Sequence, residues 1–226
     1  PEYGIYEKEN WSKQDKGQAA MITRMDRDVG KILDLLEELN VEENTLVMFT
    51  SDNGPHNEAG HNPELFSPAG PLRGMKRNLT EGGIRVPTLA WWPKTIQSNT
   101  VSNEPFYFGD LMATACEMAG TEIPKKNDSI SLIPTLKGDH KNQELHKYLY
   151  WEFYERTFRQ AVIMRDWKLI RSGMDNQRIE LYDLSKDIHE DENLAKIHPG
   201  IVQRILSFME EAHEPHPNWP TPRQKK

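Results

Sequence analysis

The apolar residues in the first forty positions recur at the spacing of one helix face. From Ser12 onward they fall at intervals of three and four, at Ile22, Met25, Val29, Ile32, Leu33, Leu36 and Leu39. This spacing is typical of an amphipathic helix, and Asn40 is a suitable residue for its C-terminal end. The pattern therefore predicts one helix over about 12–40.

Two short apolar runs that contain β-branched residues follow this helix. Residues 45–50 are nearly all apolar, which favours a strand covered on both faces in a parallel sheet. Residues 85–92 predict a second strand, with Pro87 near its start or on a sheet edge. Residues 51–84 between them are rich in Gly, Pro, Asn and His and lack apolar periodicity. They predict one long loop, and loops of this length are usually functional or disordered.

The pattern changes in the second half of the chain. Residues 108–119 predict a helix that ends at Gly120. Beyond about residue 140, short strands alternate with turns, at 148–154, 160–164, 167–171 and 179–184. Arg165 and Asp166 predict a tight hairpin, and apolar positions over 201–209 predict a final helix. We therefore expect an α/β part followed by a small antiparallel sheet with one helix.

The composition narrows the classes of partner. Of 226 residues, 36% are hydrophobic, and 28 Lys and Arg against 35 Asp and Glu give a formal net charge of −7. The mildly acidic net charge disfavours non-specific binding to nucleic acids or anionic membranes, because both bind to positively charged protein surfaces. No segment approaches the roughly 20 apolar residues of a membrane span. The single cysteine, Cys116, excludes a disulfide within the chain, and its helical position predicts a small buried core residue.

Two segments of the long loop carry candidate chemistry. Asp52 and Asn53 follow the first predicted strand, where α/β proteins bind ligands, and both offer oxygen atoms suited to calcium or magnesium. The alternative is an ordinary Asp-Asn-Gly turn. Lys76 lies on a glycine-bearing loop and could contact a sulfate or phosphate oxygen, although an isolated lysine is usually solvated surface. Glu81 and Arg85 could form a pair that braces the loop.

Taken together, these segments resemble the type I sulfatases of the alkaline-phosphatase-like superfamily. The resemblance is carried by Asn44–Gly54, Leu72–Lys76 and Glu81–Pro87. Further matching segments lie on both sides, at Met25–Gly30, Trp167–Ile170, Glu180–Leu184 and Asn193–Ala195. It implies part of an alkaline-phosphatase-like sandwich with a mainly parallel or mixed sheet, followed by a small C-terminal antiparallel sheet with one helix.

The resemblance also implies roles for individual residues. Asp52 and Asn53 match the pair that binds the active-site Ca2+ (calcium), and Lys76 matches the lysine that contacts the substrate sulfate. His56 and His61 lie in the insert between them and are candidates for contact with a sugar, although an exposed polar loop is an equal alternative. A zinc site at these histidines is disfavoured because no third ligand is evident. Arg73, Glu81 and Arg85 match positions that we expect to be scaffold.

Other parts of the family's active site have no match in this sequence. The nucleophile is a formylglycine made from a Cys-x-Pro/Ala-x-Arg motif (or its Ser form), and this motif is absent. The early acidic pair of the calcium site and the upstream lysine and histidines are also unmatched, and a start at Pro1 suggests a cut. We therefore expect residues 1–140 to be the C-terminal portion of the catalytic domain and 141–226 to be the C-terminal subdomain, a chain inactive by itself.

The resemblance implies hydrolysis of a sulfated carbohydrate or aryl sulfate, in a periplasmic, secreted or lysosomal protein. The oligomeric state is left open. Two alternatives remain: a non-catalytic sulfatase-like module that binds a glycan or protein partner, and a phosphate or phosphonate monoester hydrolase of the same superfamily. The segment from Glu81 to Pro87 disfavours the phosphatase because it looks sulfatase-like.

Overall fold

The structure, a computed structural model, describes residues 2–173 and 178–221. These residues form two compact units. The first contains the described residues up to Ser51 together with His56–Pro68 and Pro87–Glu144. The second contains Asp52–Pro55, Ala69–Val86 and the described residues from Leu145 onward. A domain boundary between residues 140 and 141 stays a prediction.

The first unit is built around the long helix that the sequence predicts. Helix α1 spans Lys13–Glu38, and Ser12 is its N-cap because the Ser12 hydroxyl accepts a hydrogen bond from the Asp15 amide at 3.1 Å. The same hydroxyl donates to the Asp15 carboxylate at 2.7 Å. Single 3-10 turns at Gly4–Tyr6 and Glu42–Asn44 lie on either side of the helix.

We expect Ser12→Ala to lower the free energy of unfolding by about 1 kcal/mol at pH 7, because it removes the helix cap. Ser12 is also the main reason that the pKa of Asp15 lies below its usual value. An acid with a lowered pKa stabilises the fold above its unfolded pKa and loses this contribution as the pH falls. The deficit of the variant should therefore shrink in acid, as measured by thermal unfolding at pH 7 and pH 3. Ser12→Thr, which keeps the hydroxyl, is the control; an equal loss in both variants would contradict the capping role.

The two strands of the first unit pair with each other in an antiparallel sense. Strand β1 spans Val47–Phe49 and strand β2 spans Leu89–Trp91, with Met48 opposite Ala90. The predicted parallel neighbour and full coverage of β1 are wrong for the residues described, because β1 pairs there with β2 alone and is half-buried. A short apolar run indicates burial but carries no information on the direction of the partner strand.

The interval between these strands is more ordered than one long loop. It contains two short helices, α2 at Pro63–Phe66 and α3 at Glu81–Ile84, which the sequence analysis missed. Two further helices complete the first unit, α4 at Asp110–Ala119 and α5 at Ile133–Leu136. Gly120 ends α4 in a left-handed conformation, as predicted. Cys116 on α4 is half-buried, so the prediction of a buried core residue is wrong.

The second unit contains the predicted antiparallel sheet and its helix. Strands β3 (Leu149–Phe153), β4 (Arg159–Met164), β5 (Trp167–Ser172) and β6 (Arg178–Asp183) lie in sequence order, and helix α6 spans Pro199–Ala212. Arg165 has a positive φ in the two-residue turn between β4 and β5, so the predicted hairpin is confirmed. No helix in the described part of the chain is long and apolar enough to span a membrane.

The two faces of this sheet bury different partners, because side chains alternate along a strand. One face packs against α6, through residues that include Val162, Leu169 and Ile205. The opposite face packs against Leu79 of the 69–86 segment, through Ile170 and Tyr182 among others. The sheet therefore supports the loop that carries Lys76.

Candidate active site

The candidate cation ligands lie in a short segment of the second unit. Asp52 is exposed and Asn53 is half-buried. The Asn53 amide nitrogen donates a hydrogen bond to the Asp52 carboxylate at 2.6 Å. Because the amide nitrogen is turned toward the acid, what the pair offers a cation is oxygen: the Asn53 amide oxygen and the Asp52 carboxylate. This chemistry is suited to calcium, which binds six to eight oxygen ligands, and the assignment of the pair as calcium ligands stays a prediction.

Gly54 holds this segment against helix α3 at a distance that excludes any side chain. The Gly54 amide donates to the Gly83 carbonyl at 2.9 Å. A Cβ atom added to Gly54 would lie 1.9 Å from the Gly82 carbonyl oxygen. Gly82 of α3 is under the same constraint, because a Cβ atom added to it would lie 2.3 Å from the Gly74 carbonyl oxygen. Three stretches of backbone therefore meet here, and glycine is what permits the contact.

Lys76 is hydrogen-bonded to the same segment. Its backbone amide donates to the Pro55 carbonyl at 2.8 Å, and its side chain is half-buried. The Gly82 amide donates to the Arg73 carbonyl at 2.8 Å, which ties the start of the Lys76 loop to α3. The structure therefore brings together the backbones that carry Asp52, Asn53 and Lys76.

A buried cluster of charges lies at Glu81, the first residue of α3. Lys168 of β5 is fully buried, and its Nζ lies 2.8 Å from Glu81 Oε1 and 3.0 Å from Glu190 Oε1. The Glu81 amide also donates to Glu190 Oε2 at 2.8 Å. Burial raises the pKa of Glu190, an effect that the nearby Lys168 ammonium partly offsets. One lysine thus neutralises part of the charge of two buried carboxylates.

The predicted scaffold residues surround this cluster. Arg85 Nη1 lies 3.4 Å from Glu81 Oε2, so the predicted Glu81–Arg85 pair is confirmed. Arg73 donates to the Tyr182 hydroxyl at 3.1 Å, and its guanidinium lies 5.1 Å from the centre of that ring. Sequence reasoning missed the role of Lys168, although a lysine inside an apolar strand is a usable signal of a buried ion pair. It also missed Glu190, whose acidic surroundings in sequence resemble an exposed loop.

His56 and His61 belong to the first unit. His61 is only 7% exposed, and its ring contacts that of His56 edge-on with 5.0 Å between centres. Within residues 2–173 and 178–221, neither ring nitrogen of His61 has a hydrogen-bond partner. His56 is exposed and its Nδ1 accepts from the Glu58 amide at 3.0 Å. No group of three or more His, Cys, Asp or Glu side chains among these residues could hold a metal ion.

Comparison with known proteins identifies the family. Residues 3–121 match the family model Sulfatase, and residues 75–212 match the model of the C-terminal part of N-sulphoglucosamine sulphohydrolase. The chain belongs to the sulfatase family. The recognition made from the sequence motifs is therefore confirmed, including the placement in the C-terminal part.

Two curated sulfatases illustrate the match. The chain is 39% identical over 145 residues to the steryl-sulfatase of Mus musculus, covering 62% of this chain and 23% of that protein. It is 29% identical over 211 residues to an N-acetylgalactosamine-6-O-sulfatase of Bacteroides thetaiotaomicron, covering 84% of this chain and 40% of that protein. The chain therefore spans less than half the length of these sulfatases.

Solved structures confirm the predicted fold class. A crystal structure described as Ps i-CgsB in complex with k-i-k-neocarrahexaose matches with a TM-score of 0.77 and 27% identity, covering 90% of this chain and 44% of that one. A second structure of Ps i-CgsB matches with a TM-score of 0.76 and 29% identity, covering 88% and 43%. The α/β part and the C-terminal antiparallel sheet with one helix therefore recur in both solved structures, in accord with the sulfatase family identified above.

Proposed function

We propose that this chain is part of an enzyme that hydrolyses sulfate monoesters on a sugar or glycan, and that it supplies Asp52, Asn53 and Lys76 to the active site. The observation that carries the proposal is the hydrogen bond from the Lys76 amide to the Pro55 carbonyl. It joins the loop of the proposed sulfate-binding lysine to the segment that holds the proposed calcium ligands. A sulfate ester needs both kinds of partner, because its oxygens are anionic.

Lys76 acts as a point charge toward the substrate in this proposal. An ammonium group neutralises negative charge on sulfuryl oxygens, and a fixed charge is worth most where charge grows in the transition state. Asp52 and Asn53 hold calcium through their oxygen atoms. When bound, calcium supplies Lewis-acid polarisation of the sulfate, and a formylglycine supplies the nucleophile.

This chain does not fit the role of nucleophile donor. Its one cysteine, Cys116, is followed by Glu117 and Met118, which departs from the Cys-x-Pro/Ala-x-Arg pattern. Cys116 also lies within helix α4 of the first unit. We therefore place the formylglycine in another part of the full protein, and we expect no turnover from the 226 residues alone.

A sugar substrate is supported by the chain's relatives. The Bacteroides thetaiotaomicron protein named N-acetylgalactosamine-6-O-sulfatase covers 84% of this chain, whereas the mouse steryl-sulfatase covers 62%. His56 is the member of the histidine pair that is exposed, so it is the better placed to meet a hydroxyl group, and the buried His61 ring contacts it edge-on. A periplasmic, secreted or lysosomal location accords with this substrate class.

The test is hydrolysis of a chromogenic aryl sulfate and of a 6-sulfated amino sugar by the full protein with calcium. Lys76→Ala should lower kcat about 100- to 1,000-fold, because it removes one fixed charge from the sulfate. Asp52→Ala should abolish activity and weaken calcium binding measured by calorimetry. Lys125→Ala and Asp34→Ala, which change exposed residues of the same types, should change neither.

Three outcomes would contradict the proposal. Normal activity and normal calcium binding in Asp52→Ala would remove the calcium assignment. Faster hydrolysis of phosphate than of sulfate monoesters would indicate the phosphatase alternative. Inactivity of the full protein on every sulfate, with glycan binding retained, would indicate a non-catalytic module.

A further inference from the structure

Glu190 combines three features that are unfavourable when taken singly. Its side chain is fully buried, its pKa is raised by that burial, and its backbone has a left-handed φ of 60°. A buried charge needs both a counter-charge and hydrogen bonds, and a non-glycine residue in this conformation persists only where its surroundings enforce it. The residues that contact Glu190 therefore indicate its role in the structure.

Besides Arg73, whose Nε lies 3.9 Å from Glu190 Oε2, Glu190 has two closer partners that connect the C-terminal sheet to α3. One carboxylate oxygen lies 3.0 Å from the ammonium of Lys168 on β5, and the other accepts the backbone amide of Glu81 at 2.8 Å. Glu81 in turn contacts Lys168 at 2.8 Å. The amide of Glu81 lies in the first turn of α3, where backbone amides have no partner within the helix. Glu190 thus caps α3 from outside and fixes its position on the sheet.

Helix α3 is in direct contact with both proposed binding segments. Its Gly83 carbonyl accepts the Gly54 amide two residues after Asp52. Its Gly82 amide donates to the Arg73 carbonyl three residues before Lys76. A displacement of α3 would therefore move both segments, because they contact α3 through backbone hydrogen bonds. A change of side-chain rotamer cannot replace such bonds.

We propose that Glu190 is a positioning residue for sulfate hydrolysis. Acting through Glu81, it holds α3 and thereby sets the distance between the Asp52–Asn53 pair and Lys76. This inference rests on the proposed function. Lys168 completes the cluster by neutralising the two carboxylates, and neither Glu190 nor Lys168 touches the substrate.

A second polar network on the same sheet provides a matched control. Arg171, also on β5, is buried; it donates to Gln160 at 2.8 Å and pairs with Glu210 of α6 at 3.1 Å. This network also centres on a buried cation of β5 that pairs with a carboxylate, but its partners lie on β4 and α6, and the Glu210 side chain is 67% exposed. Glu210→Ala therefore removes a carboxylate from a buried β5 cation without removing a contact to α3.

The kinetic test compares three variants of the full protein. Glu190→Ala should lower kcat/KM about 10- to 100-fold, the usual effect of losing a residue that orients ligands from behind. Glu190→Gln should recover most of the loss, because the amide oxygen still accepts the Glu81 amide. Glu210→Ala should leave kcat/KM unchanged. Equal losses in Glu190→Ala and Glu210→Ala would show a general stability effect and overturn the proposal.

Amide hydrogen exchange gives a readout that needs no activity. In Glu190→Ala, the amides of Gly54, Lys76 and Gly82 should lose protection, while amides of β4 and β5 keep theirs. Glu190→Gln should retain protection at these positions, and it serves where Glu190→Ala does not fold. Unchanged exchange at the three amides would overturn the positioning role even in an active sulfatase. Loss of protection in a protein inactive on sulfates would instead leave the positioning correct and refute the proposed function.

Discussion

Gly54→Ala is expected to destabilise the fold by about 3 kcal/mol and to weaken calcium binding at Asp52 and Asn53. The added Cβ would lie 1.9 Å from the Gly82 carbonyl oxygen and 2.8 Å from its carbon. Both atoms belong to the backbone of α3, so no side-chain rotation relieves the overlap. Overpacking of this kind typically costs 1–3 kcal/mol, and relief requires the 52–55 segment to move away from α3.

Urea unfolding and calcium titration of the full protein measure the two effects. Gly30→Ala is the matched control, because Gly30 lies in α1 with nothing within 4 Å of an added Cβ. That substitution should stabilise the protein by about 0.5–1 kcal/mol, since alanine favours a helix over glycine. A Gly54→Ala variant that binds calcium normally would refute the close contact between the segment and α3.

Regular elements could be predicted because their signals are local. The helix that begins after Ser12, the Arg165 hairpin and the last helix follow from spacing and turn chemistry within a few residues. The direction of the neighbour of β1 could not be predicted, because pairing joins β1 to β2, some forty residues away. The local pattern shows that Val47–Phe49 is apolar, but it does not indicate which strand pairs with this segment.

The candidate site also contains residues that short sequence motifs identify and residues whose roles depend on distant parts of the chain. Asp52, Asn53 and Lys76 are candidates that motifs alone propose, because each lies in a recognisable short segment, and their roles stay predictions. Helix α3 could not be found from motifs, since Gly82 and Gly83 are poor helix formers and the helix forms where close backbone contacts require them. Glu190 was missed for a related reason: its role depends on the Glu81 amide, which is distant in sequence.

Lys168→Met should lower the free energy of unfolding by about 3–5 kcal/mol at neutral pH. The substitution keeps the approximate volume of the side chain but removes the ammonium that the buried carboxylates of Glu81 and Glu190 share. They then retain only the more distant and partly exposed guanidinium groups of Arg85 and Arg73, at 3.4 Å and 3.9 Å. Breaking a buried ion pair by removing one partner typically costs this much, because the remaining charge is uncompensated. Urea unfolding of the full protein measures the loss.

Arg171→Met on the same strand should cost less. Arg171 pairs with a neutral Gln160 and with Glu210, whose side chain is 67% exposed and can be solvated when its partner is lost. A loss as large as that of Lys168→Met would show that any buried cation of β5 matters equally. The difference between the two variants therefore measures the free-energy cost of leaving the buried carboxylates of Glu81 and Glu190 without the Lys168 ammonium.

The deficit of Lys168→Met should grow with pH. Glu190 has a folded pKa raised above its usual 4.5 by burial, and Lys168 opposes that rise. An acid with a raised folded pKa favours folding while it is protonated, and this advantage is lost as the pH rises through the window between the unfolded and folded values. Without Lys168 the folded pKa rises further, so the window extends to higher pH and the penalty at pH 8 exceeds that at pH 5. Adding Glu190→Gln to Lys168→Met should restore part of the stability and flatten the pH dependence. A deficit independent of pH in the single variant would show that Lys168 does not affect the protonation of Glu190, and would contradict this prediction.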